Sequence, residues 1–523
     1  MNIPPPPRIP SGSPRATSSV NHTLGVVANA FADPYSLRIM HAAVQQSAKE
    51  GMHSVCFMGG FPDAPMFRDA TGSCRLPSSI DGWLLVSETL RGFGSELDAA
   101  SRTERPVISV GLELGAAPSI TSNDETGVFQ AVAHLAKRHE RKRIAFIAGP
   151  ADSVDASRRL SSYRLALDSL GLVADPALVV SGDYEASSGR EAVRQLRRHA
   201  WPFDAVVAAN DLMAIGAAEA LKAAGLRVPE DVSVVGFDDM EESAFSAPTL
   251  TTVRQPLSEQ AVAAVRHLAR WVQQGSREGH QEHTVIASPL VIRESCGCRP
   301  GEAMERRSYP PGVDPDRNKE LVNDALREIV RRELASARVH RELSRLAEPI
   351  LRAPDYPELA AALTKAVRLL HLRRFLLCTY AGGQRHARAA LESAGRDVVF
   401  HHQSQPFPIE QLFPQGYLKS EKPLHLSVEP LELAGEQFGY IVLEGDVRDG
   451  QSFLELRRHL GSALGRMSHG RELRRLYTAE KKRGNADAAE RTSPPAPVAS
   501  IAPPMSAPPI QPQPVLPPRP GNR

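Results

Sequence analysis

The side chains best suited to grip a small polar molecule stand at the ends of apolar runs. Asp238 follows Val232-Ser-Val-Val-Gly236, and a carboxylate there can accept from two adjacent hydroxyls, the contact a sugar requires. Asp239 beside it reads as a loop residue. Arg159 opens the helical run Leu-Ser-Ser-Tyr163, and its planar fork suits bidentate contacts. Neighbouring Arg158 competes for that role, and a solvated salt bridge is the plainer alternative. Asn210-Asp211 lies between a strand and a helix pattern. Asp211 suits the N-cap, which leaves Asn210 and the adjoining backbone for ligand contact. Phe31 and Tyr35, after the first apolar run, can lie against a sugar or base ring, unless Tyr35 simply packs at a helix start. Cys296-Gly-Cys298 has the form of a redox or metal pair. One Cys-x-Cys without a second ligand pair is more often structural, so no metal and no cofactor is expected.

These residues need a frame, and the hydrophobic pattern supplies one. Leu24–Ala28, Val55–Met58, Gly82–Ser87 and Pro106–Val110 are short apolar runs, the first two separated by a helical spacing over Tyr35–Glu50. A second set follows, with strands at Ile144–Ile147, Leu178–Val180, Ala205–Val207 and Val232–Gly236 and helices near 155–170, 187–199 and 211–224. Continuous apolar strands alternating with helices predict parallel sheets covered on both faces. The expected fold class is therefore α/β, with two Rossmann-like lobes over residues 23–298 and a cleft between them.

The pattern changes after Pro300. Residues 316–348 read as a connector helix ended by Pro349, with Val322, Ile329, Ser336 and Leu343 recurring every seventh residue. The polar break at Ser336 makes a poor coiled coil and a better connector, paired in a dimer at most. Residues 355–478 read as a smaller α/β unit, with a helix at Pro357–Leu370, strands at Arg374–Tyr380, Leu424–Val428 and Phe438–Glu444, and a closing helix from about Ser452 to Tyr477. Residues 1–22 are Pro- and Ser-rich and residues 485–523 Pro-rich, so both ends are expected to be disordered. Pro514-Val-Leu-Pro517 and Pro517-Pro-Arg-Pro520 have polyproline-recognition spacing, which makes the tail a candidate surface for a protein partner.

Five motifs in a fixed order carry a resemblance. They are Arg143-Ile-Ala-Phe-Ile-Ala-Gly-Pro150, Arg159-Leu-Ser-Ser-Tyr163, Ala209-Asn-Asp-Leu-Met-Ala-Ile-Gly216, Val234-Val-Gly-Phe-Asp-Asp239 and Leu250-Thr-Thr-Val-Arg-Gln-Pro256. On these, residues 23–298 resemble the effector-binding core of the LacI/PurR transcription regulators, a periplasmic-binding-protein-like type I fold. The resemblance implies a sensor that closes two lobes over a small effector, with Phe31, Tyr35, Arg159, Asn210 and Asp238 facing the ligand. It also implies a hinge with crossings near 118–122, 250–256 and 278–284. Ser162 stands where the family usually has Gly. Residues 355–478 resemble a divergent GAF-type sensor module through their order of elements and the Gly439-Tyr-Ile-Val-Leu strand.

Composition narrows the function classes. A chain of 523 residues with 42% hydrophobic and 23% charged residues suits a globular protein of several domains. A net charge of +2 neither supports nor excludes DNA binding. No secretion signal and no long apolar run is visible, and five scattered cysteines suit a reducing compartment, so a cytoplasmic protein without membrane contact is expected. No Gly-x-Ser-x-Gly elbow, phosphate loop or His-Glu-x-x-His occurs, nor a Gly-Gly-Asp-Glu-Phe or kinase box, and an enzyme is not expected. His469 lies in an Arg-rich helix and reads as a solvated face. About twenty Pro-rich residues precede the core, too few for a helix-turn-helix. Two expectations follow: a LacI-type regulator, a homodimer acting on DNA directly or through a partner, or a sensor whose output is protein interaction alone.

Overall fold

The computed structural model describes residues 22–28, 34–58, 64–68, 75–86, 105–113, 117–275, 283–299, 337–381, 384–445 and 452–470. Phe31, the N-terminal segment, most of the connector and the Pro-rich tail lie outside these residues. The chain divides into two units, Met1–Met467 and Ser468–Arg523, and every element below belongs to the first, apart from the end of the last helix.

The first lobe is a parallel sheet. Its strands are β1 (Thr23–Ala28), β2 (His53–Met58), β3 (Gly82–Val86), β4 (Val107–Val110), β5 (Ser119–Asn123) and, from much later in the chain, β11 (Thr284–Ala287). They run in the order β11-β5-β4-β3-β1-β2. Every residue of β1, β3 and β4 is buried, as continuous apolar runs require when helices cover both faces. The helices Pro34–Lys49 and Leu257–Gln274 pack on one face with Ile39, Met40, Leu257, Val265 and Leu268. The second lobe comprises β6 (Ile144–Ala148), β7 (Val179–Ser181), β8 (Ala205–Ala208), β9 (Ser233–Asp238), β10 (Thr251–Arg254) and the short antiparallel β12 (Leu290–Val291). Their order is β12-β10-β9-β8-β6-β7.

In the second lobe two helices approach on glycines. A Cβ at Gly189 of Ala186–His199 would run into the Met213 carbonyl oxygen, and one at Gly216 of Asp211–Ala223 into that of Ala186. Only residues without a side chain let the two backbones come so close.

The chain passes between lobes at three places among the described residues: from β5 into the helix Asp124–Arg138, from β10 into Leu257–Gln274, and from β11 to β12. The first two agree with the expected crossings. The third lies at 288–289, later than 278–284, because Thr284–Ala287 first pairs with β5 as an edge strand of lobe one. The polar strand Ser119-Ile-Thr-Ser-Asn123 and β11 carry no buried-strand signature, and only the hinge implied by the resemblance pointed to these stretches.

The C-terminal part does not stand apart. Its strands β13 (Arg374–Ala381), β14 (His386–Ala394), β15 (Asp397–Phe400), β16 (Phe407–Pro408), β17 (His425–Leu433) and β18 (Glu436–Glu444) are antiparallel among themselves. β17 then pairs in parallel with β2, His425 opposite Ser54 through Val428 opposite Phe57. A single 12-stranded sheet results. Its cores are shared on both faces: Ile39 and Leu84 join Leu363 and Leu456 on one side, and Phe57 and Trp83 join Phe413 and Tyr440 on the other.

Two details correct the sequence reading. The helix at 337–352 runs through Pro349 although proline removes one backbone donor and crowds the preceding turn. Leu343 and Ile350, both fully buried in the shared core, hold its last turns in place. The expected strand at Leu424–Val428 extends to Leu433, and β14 and β15, unread in the sequence, pair beside β13.

Candidate functional site

Asp238 is the last residue of β9 and takes φ +116, a conformation costly for any residue with a Cβ and most often kept where function demands it. Its Oδ1 accepts from Gln255 Nε2 at 2.8 Å and lies 3.9 Å from Arg159 Nη1. The side chain is 23% exposed. Its neighbours are more enclosed: Arg159 is 4% and Asp124 8% exposed. Arg159 projects from the helix Val154–Ser169, which Ser153 caps by accepting from Ala156 N. Its Nε and Nη2 donate to Asp124 Oδ2 at 3.1 and 2.8 Å, and Nη1 to the Ala209 carbonyl at 2.7 Å. The guanidinium also lies 3.7 Å over the Phe237 ring, a favourable cation–π placement. Asp124 sits in the first turn of its helix, where the backbone dipole favours a carboxylate. Arg159 is thus held in a buried, multiply bonded pair and not in a solvated bridge.

A second layer orders the ends of β9 and β10. Asp211 is fully buried and accepts from Ser243 Oγ at 2.6 Å, Thr252 Oγ1 at 2.5 Å and the Met240 backbone at 2.8 Å. Asp239 bridges Arg254 at 2.6 Å and Arg293 at 2.5 Å, which corrects its reading as a plain loop residue. Burial holds the Asp211 carboxyl up at about 6 against the pull of its three donors. The Asp238 carboxyl is raised well above its ordinary range by burial, with Arg159 opposing and the charges of Asp211 and Asp124 adding to the rise.

Asn210, not Asp211, caps the helix Asp211–Ala223: its Oδ1 accepts from Met213 N at 2.9 Å while its Nδ2 donates to the Tyr184 carbonyl at 2.8 Å. Asp211 is drawn away because its carboxylate is the hub for Ser243 and Thr252. Tyr184 itself has φ +71 and shares a hydrogen bond with Ser153 at 3.0 Å. Gly149 makes room for the phenol, which a Cβ there would strike. From lobe one, Arg38 Nη1 reaches the carbonyls of Asp238 and Asp239 at 3.4 and 3.5 Å.

Arg159 and Asp238 stand side by side, while the Asn210 side chain is taken up by Met213 and Tyr184. Tyr35 packs, half-buried, against the lobe-one core. Sequence reasoning missed Asp124, Gln255, Phe237 and Tyr184. Gln255 and Phe237 lay inside the quoted motifs, but Asp124 follows a polar strand with no signal linking it to Arg159.

The family described as a periplasmic binding protein-like domain matches residues 132–296. The ribose operon repressor of Escherichia coli strain K12 is 30% identical over 272 residues, covering 52% of this chain and 81% of the repressor. The chain belongs to the LacI family. Another LacI-family relative, the HTH-type transcriptional regulator CelR of Thermobifida fusca, is 41% identical over 154 residues, 29% of this chain and 45% of CelR. A solved complex of a transcriptional regulator CelR with cellobiose is 29% identical, covers 54% of this chain and 86% of that one, and has a TM-score of 0.45. Among the described residues of this LacI-family chain, no helix is long and apolar enough to cross a membrane.

Proposed function

We propose that this chain is a ligand-sensing transcription regulator that takes a small polar effector, a sugar or nucleoside-like molecule, between its lobes. The observation that carries this reading is Asp238, the solvent-reachable carboxylate of an otherwise enclosed charge cluster, fixed at positive φ and braced by Gln255. Its two oxygens suit adjacent hydroxyls. Arg159 stands beside it, and its pairing with Asp124 holds it against the first turn of the helix that follows the β5 crossing. The name of the ribose operon repressor favours a sugar. The protein acts in the cytoplasm as a homodimer in this reading.

Thermal shift against sugars, nucleosides and amino acids tests it. Anything that binds only the folded state raises its melting temperature by mass action, about 2.7 kcal/mol of stabilisation at a hundredfold excess over Kd. Asp238→Asn keeps the shape and should abolish the rise. A confirmed effector that stabilises Asp238→Asn as much as the parent chain removes Asp238 from the site.

A second reading, signalling by protein interaction without DNA, is favoured by the join of β17 to β2, which gives lobe one a large additional face. The GAF-like assignment of residues 355–478 belongs to this reading. A mobility shift with genomic fragments separates the two: saturable, sequence-selective, effector-dependent retardation by the purified chain rules out the second.

A further inference from the structure

The far end of the hinge-crossing helix holds a cluster unconnected with the effector site. His134 lies one turn before the end of Asp124–Arg138 and His139 is its C-cap residue. Asp124, at the other end, is ten residues away, about 15 Å along a helix. Against the two imidazoles lies the peptide that ends the second lobe. Ser295 accepts from Val234 N at 2.9 Å and its hydroxyl donates to the Val234 carbonyl at 2.6 Å, while Ser233 Oγ donates to the Cys296 carbonyl at 2.9 Å. These bonds fix Cys296 and Cys298 in place. Cys296 is fully buried and Cys298 8% exposed. Between them Gly297 takes φ +109, and even a Cβ there would sit 3.1 Å from His139 Nδ1. Only glycine lets the Cys-x-Cys loop close on that ring.

The ligand-capable atoms of His134, His139, Cys296 and Cys298 all lie within 4.8 Å of one another. His134 Nε2 is 3.2 Å from His139 Nε2, and Cys298 Sγ is 3.6 and 3.4 Å from those two nitrogens. A tetrahedron with zinc bond lengths of about 2.05 Å to nitrogen and about 2.3 Å to sulfur has edges of roughly 3.4 Å (N to N) and roughly 3.6 Å (N to S). The three measured edges match to within about 0.2 Å. Neither cysteine is in a disulfide. We propose that His134, His139, Cys296 and Cys298 form a structural Zn²⁺ site that staples the end of the sensor core to the hinge-crossing helix.

The chemistry agrees with the geometry. Two thiolates and two neutral imidazoles carry two negative charges, so a bound Zn²⁺ leaves the buried cluster with no net charge to desolvate. Binding releases the two thiol protons to solvent. Four protein ligands close the coordination sphere and leave no position for water, which makes the site structural and not hydrolytic. A tetrahedral S₂N₂ set selects zinc over the harder Mg²⁺ and Ca²⁺.

The full chain, reduced and freed of metal by a chelator, should take up about one Zn²⁺ per molecule by elemental analysis. With Co²⁺ it should show the visible bands of a tetrahedral site and a near-ultraviolet thiolate-to-cobalt band. Cys296→Ser with Cys298→Ser should lose both. If that variant does not fold, His139→Gln, which keeps three ligands, should weaken zinc at least tenfold against a chromophoric chelator. A folded parent chain that binds neither metal overturns the proposal. So does a variant that keeps the parent's stoichiometry and cobalt spectrum.

Discussion

Arg159 shows how one buried charge can set a site. Its two bonds to Asp124 and one to the Ala209 carbonyl hold a fork that is only 4% exposed, and a buried pair of this kind is costly to break from one side. Its value is positional: it places a positive charge 3.9 Å from the Asp238 carboxylate. Glu429 offers the opposite case. It is fully buried on β17, both carboxylate oxygens lack a hydrogen bond, and Arg457 comes only to 3.5 Å. Burial pushes its carboxyl up to about 8 from 4.5, with Arg457 pulling it back. A carboxyl raised in the folded state takes up a proton on folding between those two values. The stability it permits is thus fully present below pH 4.5 and is lost as pH rises towards 8, with a slope of about 1.4 kcal/mol per pH unit. Urea unfolding across that range should show the decline in the parent chain and a flatter profile in Glu429→Gln. Parallel profiles would mean that Glu429 does not titrate in this way.

At the scale of elements, the crossing of Ala186–His199 with Asp211–Ala223 rests on Gly189 and Gly216. Gly189→Ala would gain helix propensity of nearly 1 kcal/mol, yet it forces the helices apart, an overpacking cost of about 1–3 kcal/mol. Denaturant unfolding should find the variant less stable, and a stabilised variant would show that the helices shift freely. Gly189 is unremarkable in the sequence, because nothing in a helical pattern reveals which face meets another backbone. The legible elements are those buried on both sides. Val234-Val-Gly-Phe237 and Ile144-Ala-Phe-Ile147 could hardly be anything but central parallel strands. The strand Ser119–Asn123 showed only through the resemblance, as a hinge crossing, because it carries hydroxyls where a core strand carries valine. His386–Ala394 mixes Ala and Leu with Arg, Glu and Ser without regular alternation, a weak signal for a strand. Of the candidate site, Asp238 and Arg159 were readable from motif order. Asp124 was not, because pairing across 35 residues leaves no trace in spacing. His134 and His139 gave no signal either: one lies a turn before a helix end, the other caps it, and their partners follow only at the end of the second lobe.

The whole molecule is governed by the ladder between β2 and β17. Without it, β2 would be an exposed edge carrying Val55 and Phe57, the kind of template that recruits another strand. A chain ending at residue 299 should therefore self-associate, seen as a larger sedimentation coefficient that grows with concentration. A monodisperse truncated chain would mean that lobe one protects its own edge. The same ladder decides what counts as still and what counts as moving. Lobe one and the C-terminal strands share a single sheet and two continuous cores, so they form one chassis, and the 6-stranded lobe two is joined to it by the three crossings among the described residues. Under the proposed function, an effector entering between the lobes does not pull two equal halves together. It turns a small arm against a heavy frame, and the frame, already joined to the C-terminal strands, is the fixed reference against which the position of the arm can be read.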